Sequence, residues 1–531
     1  MSNDIPAERP HRQDWRHRWN RTQRQGVPLQ FEAATADPVR PYPTRYVPDH
    51  LLVSTLAGPL ERVLGALSDA ASEFGWRVER PRPDQKPPLP EKLDLPRVYR
   101  VDIQPAERSR TAEPVPEVDA WLLLRRTRQR TGTSLEGVGL DHVIEVDDID
   151  LNPFGRTNPF GRTNPFGRTN PFGRTNVPGL GGYAEPGSGG RQVATYFGPA
   201  PVRGPDPVDG GRRPVVAFFD TGCGPHAWLP ADVVDREPQC PSGHIGFFDP
   251  ATDPEVHGDL EGPYDGFIDD AAGHGTFIAG VIRQTCPDAD LIAVRVSDGA
   301  GIVWESEMLE AVRRLVEQIV LHATGGEGRA VDVLNFSLGY YHETPEDGYF
   351  DQTLNVYLAA ARRHGCAVVC SAGNDATDRP AFPAALWQWP GADFTVDDPD
   401  DAAPHVAVGA ANPSHRSVAL FSNIGSWVHL YAPGVSVLSC TPAYQGGVQP
   451  GTRDDRLGLR RESLDPDDLR GGFALWSGTS FAAPYVAGLL ARSLVAGLAD
   501  GGLAGDIAAR SGVLTGTLAE QQDTLTATLR A

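Results

Sequence analysis

Trp476-Ser477-Gly478-Thr479-Ser480-Phe481-Ala482-Ala483-Pro484-Tyr485-Val486-Ala487-Gly488 sets a serine among small residues, directly ahead of an apolar helical pattern. Pro484 falls early enough in that pattern to be tolerated, because the first turns of a helix have few intrahelical bonds to lose. The spacing predicts a helix over Phe481–Ala499 with Ser480 at its N-terminus. Unpaired N–H groups and the positive end of the helix dipole face whatever lies beyond such a terminus, and they stabilise negative charge growing on a carbonyl oxygen. A second reading is a buried Ala/Gly-rich helix with an incidental cap. An acid, a base and a second oxyanion donor elsewhere in the chain would decide between the two.

Val215 to Phe219 is a continuous apolar run that ends in Asp220-Thr221-Gly222. An acid closing a buried strand can orient a histidine and stabilise its cation, although an Asp that merely starts a turn looks the same. His274 lies in Gly273-His274-Gly275-Thr276, where a helical pattern opens between residues small enough for another backbone to approach. Imidazole has the pKa and the two nitrogens that a base between a carboxylate and a hydroxyl needs; a helix cap is the plainer reading. Asn374 follows the apolar run Ala367 to Ser371 in Ser371-Ala372-Gly373-Asn374, and its amide can donate to an oxyanion opposite the Ser480 N–H. The acids Asp259, Glu261, Asp265, Asp269 and Asp270 with His257 and His274 match no standard zinc spacing.

Further apolar runs at Asp290–Val296, Val331–Phe336 and His405–Ala410 alternate with helical patterns at Gly275–Arg283, Glu305–His322 and Gln352–His364. Strands alternating with helices predict an α/β fold, a mostly parallel sheet with helices on both faces. Sites in such sheets form at the carboxyl ends of strands, where Asp220 and Asn374 fall.

The Asp-Thr-Gly, His-Gly-Thr and Gly-Thr-Ser-Phe-Ala-Ala-Pro segments, in that order, resemble the three signatures of the subtilisin-like serine proteases over Arg213 to Ala499. The resemblance implies a subtilisin-like fold and a serine endopeptidase with Asp220, His274 and Ser480 as triad and Asn374 as oxyanion donor. It also implies that an extended peptide or protein substrate pairs with Ser337-Leu338-Gly339 and with Ser371-Ala372-Gly373. Kexin-like members carry a second Asp after the catalytic one; Thr221 stands here, followed downstream by Tyr340-Tyr341, so an apolar or broad first pocket is expected, with Asp375 as the contrary sign. No cofactor is required; calcium is frequent in the family, with no ligands assignable in this chain.

Ahead of the peptidase-like domain (213–500), residues 46–150 read as strand, helix, strand, strand, helix, strand: His50–Ser54, Gly58–Phe74, Trp76–Glu79, Val98–Ile103, Val118–Arg130 and Leu140–Val146. That order is ferredoxin-like, a smaller α+β domain. Many subtilisin-like precursors carry such a propeptide, which assists folding and lays its tail in the active site, so this chain's own N-terminal domain is the expected inhibitor or chaperone. Between the two, at 151–212, lies a linker in which Asn-Pro-Phe-Gly-Arg-Thr occurs four times from Asn152 to Thr175. Pro and Gly in every unit make it a string of turns; repeated cleavage sites or a tethered ligand are alternative readings. Residues 1–45 form an Arg-rich arm expected to be disordered, 501–531 a C-terminal extension, and Pro442–Gly472 a surface insertion.

The formal charge of −21 over 531 residues argues against nucleic acid or an anionic membrane as the main partner, since both require a cationic face. Arginines and acids, with no apolar run, follow Met1, and the six cysteines show no CxxC pairing. Both features lead to the expectation of a cytoplasmic protein with buried thiols.

Overall fold

The computed structural model describes residues 24, 26–29, 41–81, 93, 95–106, 115–146, 191–241, 243–261, 268–344, 352–387, 396–444, 453–462, 469–526 and 529. The repeats, the rest of the linker to residue 190 and most of the N-terminal arm lie outside them.

The N-terminal unit runs β1 (Arg45–Ser54), α1 (Leu60–Glu73), β2 (Trp76–Val78), β3 (Val98–Pro105), α2 (Ala120–Thr131) and β4 (Val138–Val146). Its antiparallel sheet has the order β4-β1-β3-β2, and one face packs Leu51, Val53, Val101 and Leu140 against Leu64 and Leu67 of α1 and Leu123 and Leu124 of α2. Strand β1 starts earlier than the expected His50. Pro48 has no N–H for the ladder, so the register to β4 shifts between Tyr46 and Leu51, and the strand continues through that irregularity to Arg45.

The C-terminal unit contains β5 (Gln192–Val193), β6 (Val215–Asp220), β7 (Val234–Asp235), α3 (His274–Thr285), β8 (Asp290–Arg295), β9 (Ile302–Trp304), α4 (Glu305–Ala323), β10 (Val333–Phe336) and β11 (Leu338–Gly339). It continues through α5 (Thr353–Arg363), β12 (Ala367–Ser371), β13 (His405–Ala411), β14 (Leu430–Pro433), β15 (Val437–Cys440), β16 (Arg453–Arg456), β17 (Leu459–Glu462), β18 (Phe473–Trp476), α6 (Thr479–Ala499) and α7 (Ile507–Thr526). The central sheet is seven-stranded and parallel throughout, in the order β14-β13-β12-β10-β6-β8-β7. Alternation along β6 divides the core. Val216 and Phe218 face Phe277 and Ile278 of α3 and Ala483 and Val486 of α6, whereas Val215, Ala217 and Phe219 face Met308 of α4 and Leu354 of α5. Burying each large side chain contributes about 1.5–3 kcal/mol, which is why such a strand is stable only with helices on both faces.

The expected surface insertion is anchored at both ends. Its ends bury Tyr444 and Leu469 against Ile268 and Ala272, while the β16–β17 hairpin between them exposes Leu457 and Leu459. Helix α7, in the C-terminal extension, packs Leu514 and Leu518 into the core beside α6. All six cysteines are free thiols, five of them buried.

The two units share a sheet. The end of β4 lies between two edges of the C-terminal unit, pairing antiparallel with β9 (Val143↔Trp304, Ile144↔Val303, Glu145↔Ile302) and with β11 (Glu145↔Gly339, Val146↔Leu338).

Candidate active site

Asp220 ends β6 inside the central sheet, and His274 begins α3 a few ångströms away; both are fully buried. The approach depends on glycine twice. Gly273, at φ +82°, occupies the left-handed region, and a Cβ on Gly275 would stand 2.1 Å from the Gly222 carbonyl oxygen, so only a bare backbone lets the helix start close against the Asp-Thr-Gly turn. His274 Nδ1 lies 2.8 and 2.9 Å from the two carboxyl oxygens of Asp220. A carboxylate accepts only, so Nδ1 carries the proton and Nε2 is the basic nitrogen. Nε2 is buried and has no hydrogen-bond partner. Trp476 stands edge-on to the ring with centroids 5.2 Å apart and Phe481 lies tilted at 5.1 Å, so the imidazole is fixed by apolar packing as well as by its acid.

Ser480 is the second residue of α6, and its hydroxyl donates to the Ser337 carbonyl at 3.4 Å rather than to His274. Such base–nucleophile contacts are often loose without substrate and tighten during reaction. Pro484 explains a further contact. Its missing N–H would have bonded the carbonyl four residues back, that of Ser480, and the Ser337 hydroxyl donates to that carbonyl at 2.8 Å instead.

Asn374 follows β12, and its Oδ1 accepts both the main-chain N–H and the hydroxyl of Thr479, each at 2.9 Å. A backbone N–H identifies its acceptor as the amide oxygen, so the NH2 group is on the side away from Thr479. Asp220, His274, Ser480 and Asn374 therefore converge, from four segments, on one region at the carboxyl ends of β6 and β12 and the start of α6.

The two expected peptide-binding edges behave differently. Leu338 and Gly339 offer their main chain to β4, and Ser337 joins them to Ser480. In the Ser371-Ala372-Gly373 segment, Ala372 N–H goes to Val408, Ala372 carbonyl to Asn423, Gly373 N–H to the Thr479 hydroxyl and Gly373 carbonyl to Asn423 N–H. These bonds seat Asn374 against α6. The second edge is β9 with Gly301, whose carbonyl accepts the Val146 N–H at 2.8 Å. A three-residue strand is too short for its periodicity to stand out in sequence.

Behind the paired strands, side chains of β4 reach the C-terminal unit. Asp141 accepts the Ser306 N–H (2.9 Å) and hydroxyl (2.6 Å) at the start of α4. Buried His142 stands between Glu305 (2.6 Å from Nδ1) and Glu343 (2.7 Å from Nε2). Burial alone would push its imidazole down, but the two carboxylates outweigh burial and raise it to about 10. Burial pushes neighbouring His342 down to about 3, while Glu343, despite burial, is held below its usual range by His342 and His142. His142, His342 and Glu343 are the one set of metal-ligand type among the described residues. Calcium takes six to eight oxygens, so two imidazoles with one carboxylate do not fit it.

Comparison with known proteins follows the same lines. Residues 211–497 match the model of the subtilase family. An intracellular serine protease of Paenibacillus polymyxa is 27% identical over 295 residues, 53% of this chain and 66% of that protein. Subtilisin-like protease 3 of Trichophyton equinum is 28% identical over 43% of this chain and 45% of its own length. The chain thus spans less than two thirds of either relative. A solved structure of a cold adapted subtilisin-like serine proteinase is similar at 22% identity and TM-score 0.34, over 58% of this chain and 81% of that one.

Proposed function

The chain belongs to the subtilase family, and on that footing we propose that it is a serine endopeptidase, its triad Asp220, His274 and Ser480. The observation that carries the reading is His274: Nδ1 is committed to both oxygens of Asp220 while Nε2 is left without a partner beside the helix that begins at Thr479-Ser480. In the proposed reaction Nε2 takes the Ser480 proton as Oγ attacks a peptide carbonyl. The oxyanion is received by the Ser480 N–H and the Asn374 amide, and His274 then returns the proton to the leaving amine. Water, activated by the same nitrogen, releases the acyl group. The substrate strand enters between β9 and β11, main chain to main chain. Tyr341 donates to Asp375 at 2.6 Å, which engages that carboxylate and supports an apolar or broad first pocket.

The N-terminal unit is, in this proposal, an intramolecular inhibitor that also assists folding. Its support is the pairing of Glu145 and Val146 in the place a substrate strand would take. Val146 pairs with Leu338, and the next residue, Ser337, touches Ser480; self-processing is therefore expected immediately downstream of Val146. Six free cysteines support a reducing, cytoplasmic setting, as does the name of the Paenibacillus relative.

The test is to purify the wild type and Ser480→Ala and compare their intact masses, N-termini and casein turnover. A wild-type cut just past Val146 and turnover, both absent in the variant, are expected. Identical masses with no wild-type turnover would leave a non-catalytic peptide-binding protein on a protease fold.

A further inference from the structure

Glu255 is fully buried in the turn 253–257, away from any period in the sequence, and four donors close on its carboxylate. They are the hydroxyls of Thr221 and Thr276 and the main-chain N–H groups of Gly275 (3.1 Å) and Thr276 (3.4 Å). Thr221 follows Asp220, and Gly275 and Thr276 follow His274, so one side chain ties together the two segments that carry the acid and the base. The Thr221 hydroxyl also lies 3.1 Å from Asp220 Oδ1 and accepts the Gly275 N–H at 2.9 Å.

We propose that Glu255 is a positioning residue of this site, extending the hydrogen-bonded chain His274–Asp220–Thr221 inward by one member and fixing the first turn of α3 against the Asp-Thr-Gly turn. The proposal deepens the peptidase reading and rests on it for the roles of Asp220 and His274.

The Thr221 hydroxyl has one proton and two carboxylates within reach. When Glu255 is ionised it receives that proton's hydrogen bond; when Glu255 is neutral its own proton serves a threonine hydroxyl, and the Thr221 proton turns to Asp220. Burial pushes the Glu255 carboxyl up to about 7, against the two threonine hydroxyls that favour its ionised form, so both arrangements are populated near neutrality. The charged and titratable groups around it are Asp220 and Asp253, Cys223, Cys440 and Tyr444, the Arg295 stem across Gly222, and His274 one residue from Gly275. The rival account is plain helix capping: the cap position of α3 is Gly273, which has no side chain, and Glu255 supplies what it lacks.

Glu255→Gln separates the two accounts, because the amide oxygen still caps α3 while the charge is gone. In full-length Ser480→Ala protein, which cannot digest itself, the Nδ1–H resonance of His274 is followed by NMR against pH. With Glu255 present, that resonance is expected to move through an inflection near 7 as Glu255 ionises. With Glu255→Gln, that inflection disappears, since the group that titrates there is gone. Thr221→Val, which keeps the cap but cuts the link, also loses the inflection and serves if Glu255→Gln does not fold. Unchanged titration in whichever folded variant is read overturns the proposal and leaves Glu255 a cap. In proteins with Ser480 restored, kcat of Glu255→Gln falls about tenfold with KM unchanged if transition-state geometry is what it holds. Labelling of wild-type Ser480 by a fluorophosphonate tests the peptidase reading separately, and its failure would leave the pH course of the His274 resonance to decide the link itself.

Discussion

Ser337 and Ser480 hold each other twice: the hydroxyl of Ser337 donates to the Ser480 carbonyl at 2.8 Å, and the hydroxyl of Ser480 to the Ser337 carbonyl at 3.4 Å. The first bond compensates the backbone group that Pro484 leaves open. Ser337→Ala is expected to strand a buried carbonyl and cost about 1–3 kcal/mol of stability, read by denaturant unfolding. Its kcat should fall as well, because the residue that presents the nucleophile is no longer fixed to the edge strand. Unchanged stability would mean that the carbonyl finds another partner.

Asn374 accepts both Thr479 donors at Oδ1, and in the proposed reaction its NH2 group is the oxyanion donor. Asn374→Ala should lower kcat by about 10²–10³ with little change in KM, a size taken from the corresponding donor of subtilisin itself and not deduced from this geometry. Steady-state kinetics on a peptide substrate checks it, and an equal rise in KM with kcat intact would show a substrate-binding role instead.

Val146 gives its N–H to Gly301 at the end of the shared strand. Val146→Pro removes that donor without adding charge. Docking of the N-terminal unit should weaken, and added substrate should be hydrolysed sooner after purification than by the wild type. Progress curves that superimpose would place the docking energy elsewhere in the interface.

Docking is also expected to depend on pH through His142. Its value rises from the ordinary 6.5 to about 10 on docking, so the contribution is complete below 6.5 and is lost as pH climbs through 10. Glu343, held low, acts in the opposite sense: its contribution is present above the usual carboxylate range and is lost in acid. Hydrogen exchange of β4 in Ser480→Ala protein, corrected for intrinsic rates, should therefore accelerate from neutral to alkaline pH by up to about tenfold per unit. His142→Gln should abolish that slope; an identical slope in the variant would assign it to other groups.

Asp220, His274 and Ser480, the residues of the proposed triad, stood out in the sequence because each ends or starts a regular element and is flanked by Gly or Thr, signals that survive without a structure. The parallel order of the large sheet was legible for the same reason, since its strands are continuous apolar runs between amphipathic helices. Glu255 was not, because it sits in a turn whose partners are 20 and 34 residues away along the chain. The partners of His142 come from 163 and 201 residues away. The internal partners of Ala372 and Gly373, namely Val408, Asn423 and Thr479, were not legible either, because they are set by which neighbours the fold brings close and not by any local pattern. Pro484 carried an unread hint: a proline inside a helix announces that some carbonyl four residues earlier needs a donor.

The sheet that runs unbroken from the N-terminal unit through β4 into β9 and β11 has a consequence for what a cut would accomplish. Severing the chain beyond Val146 removes no hydrogen bond from that sheet. It changes the order of the reaction instead: re-docking, until then a first-order event at the high effective concentration set by a tether, becomes second-order and sensitive to dilution. Activity after the cut should therefore rise as total protein falls, so the cell's protein concentration, more than the cleavage itself, would set how long the cleft stays filled.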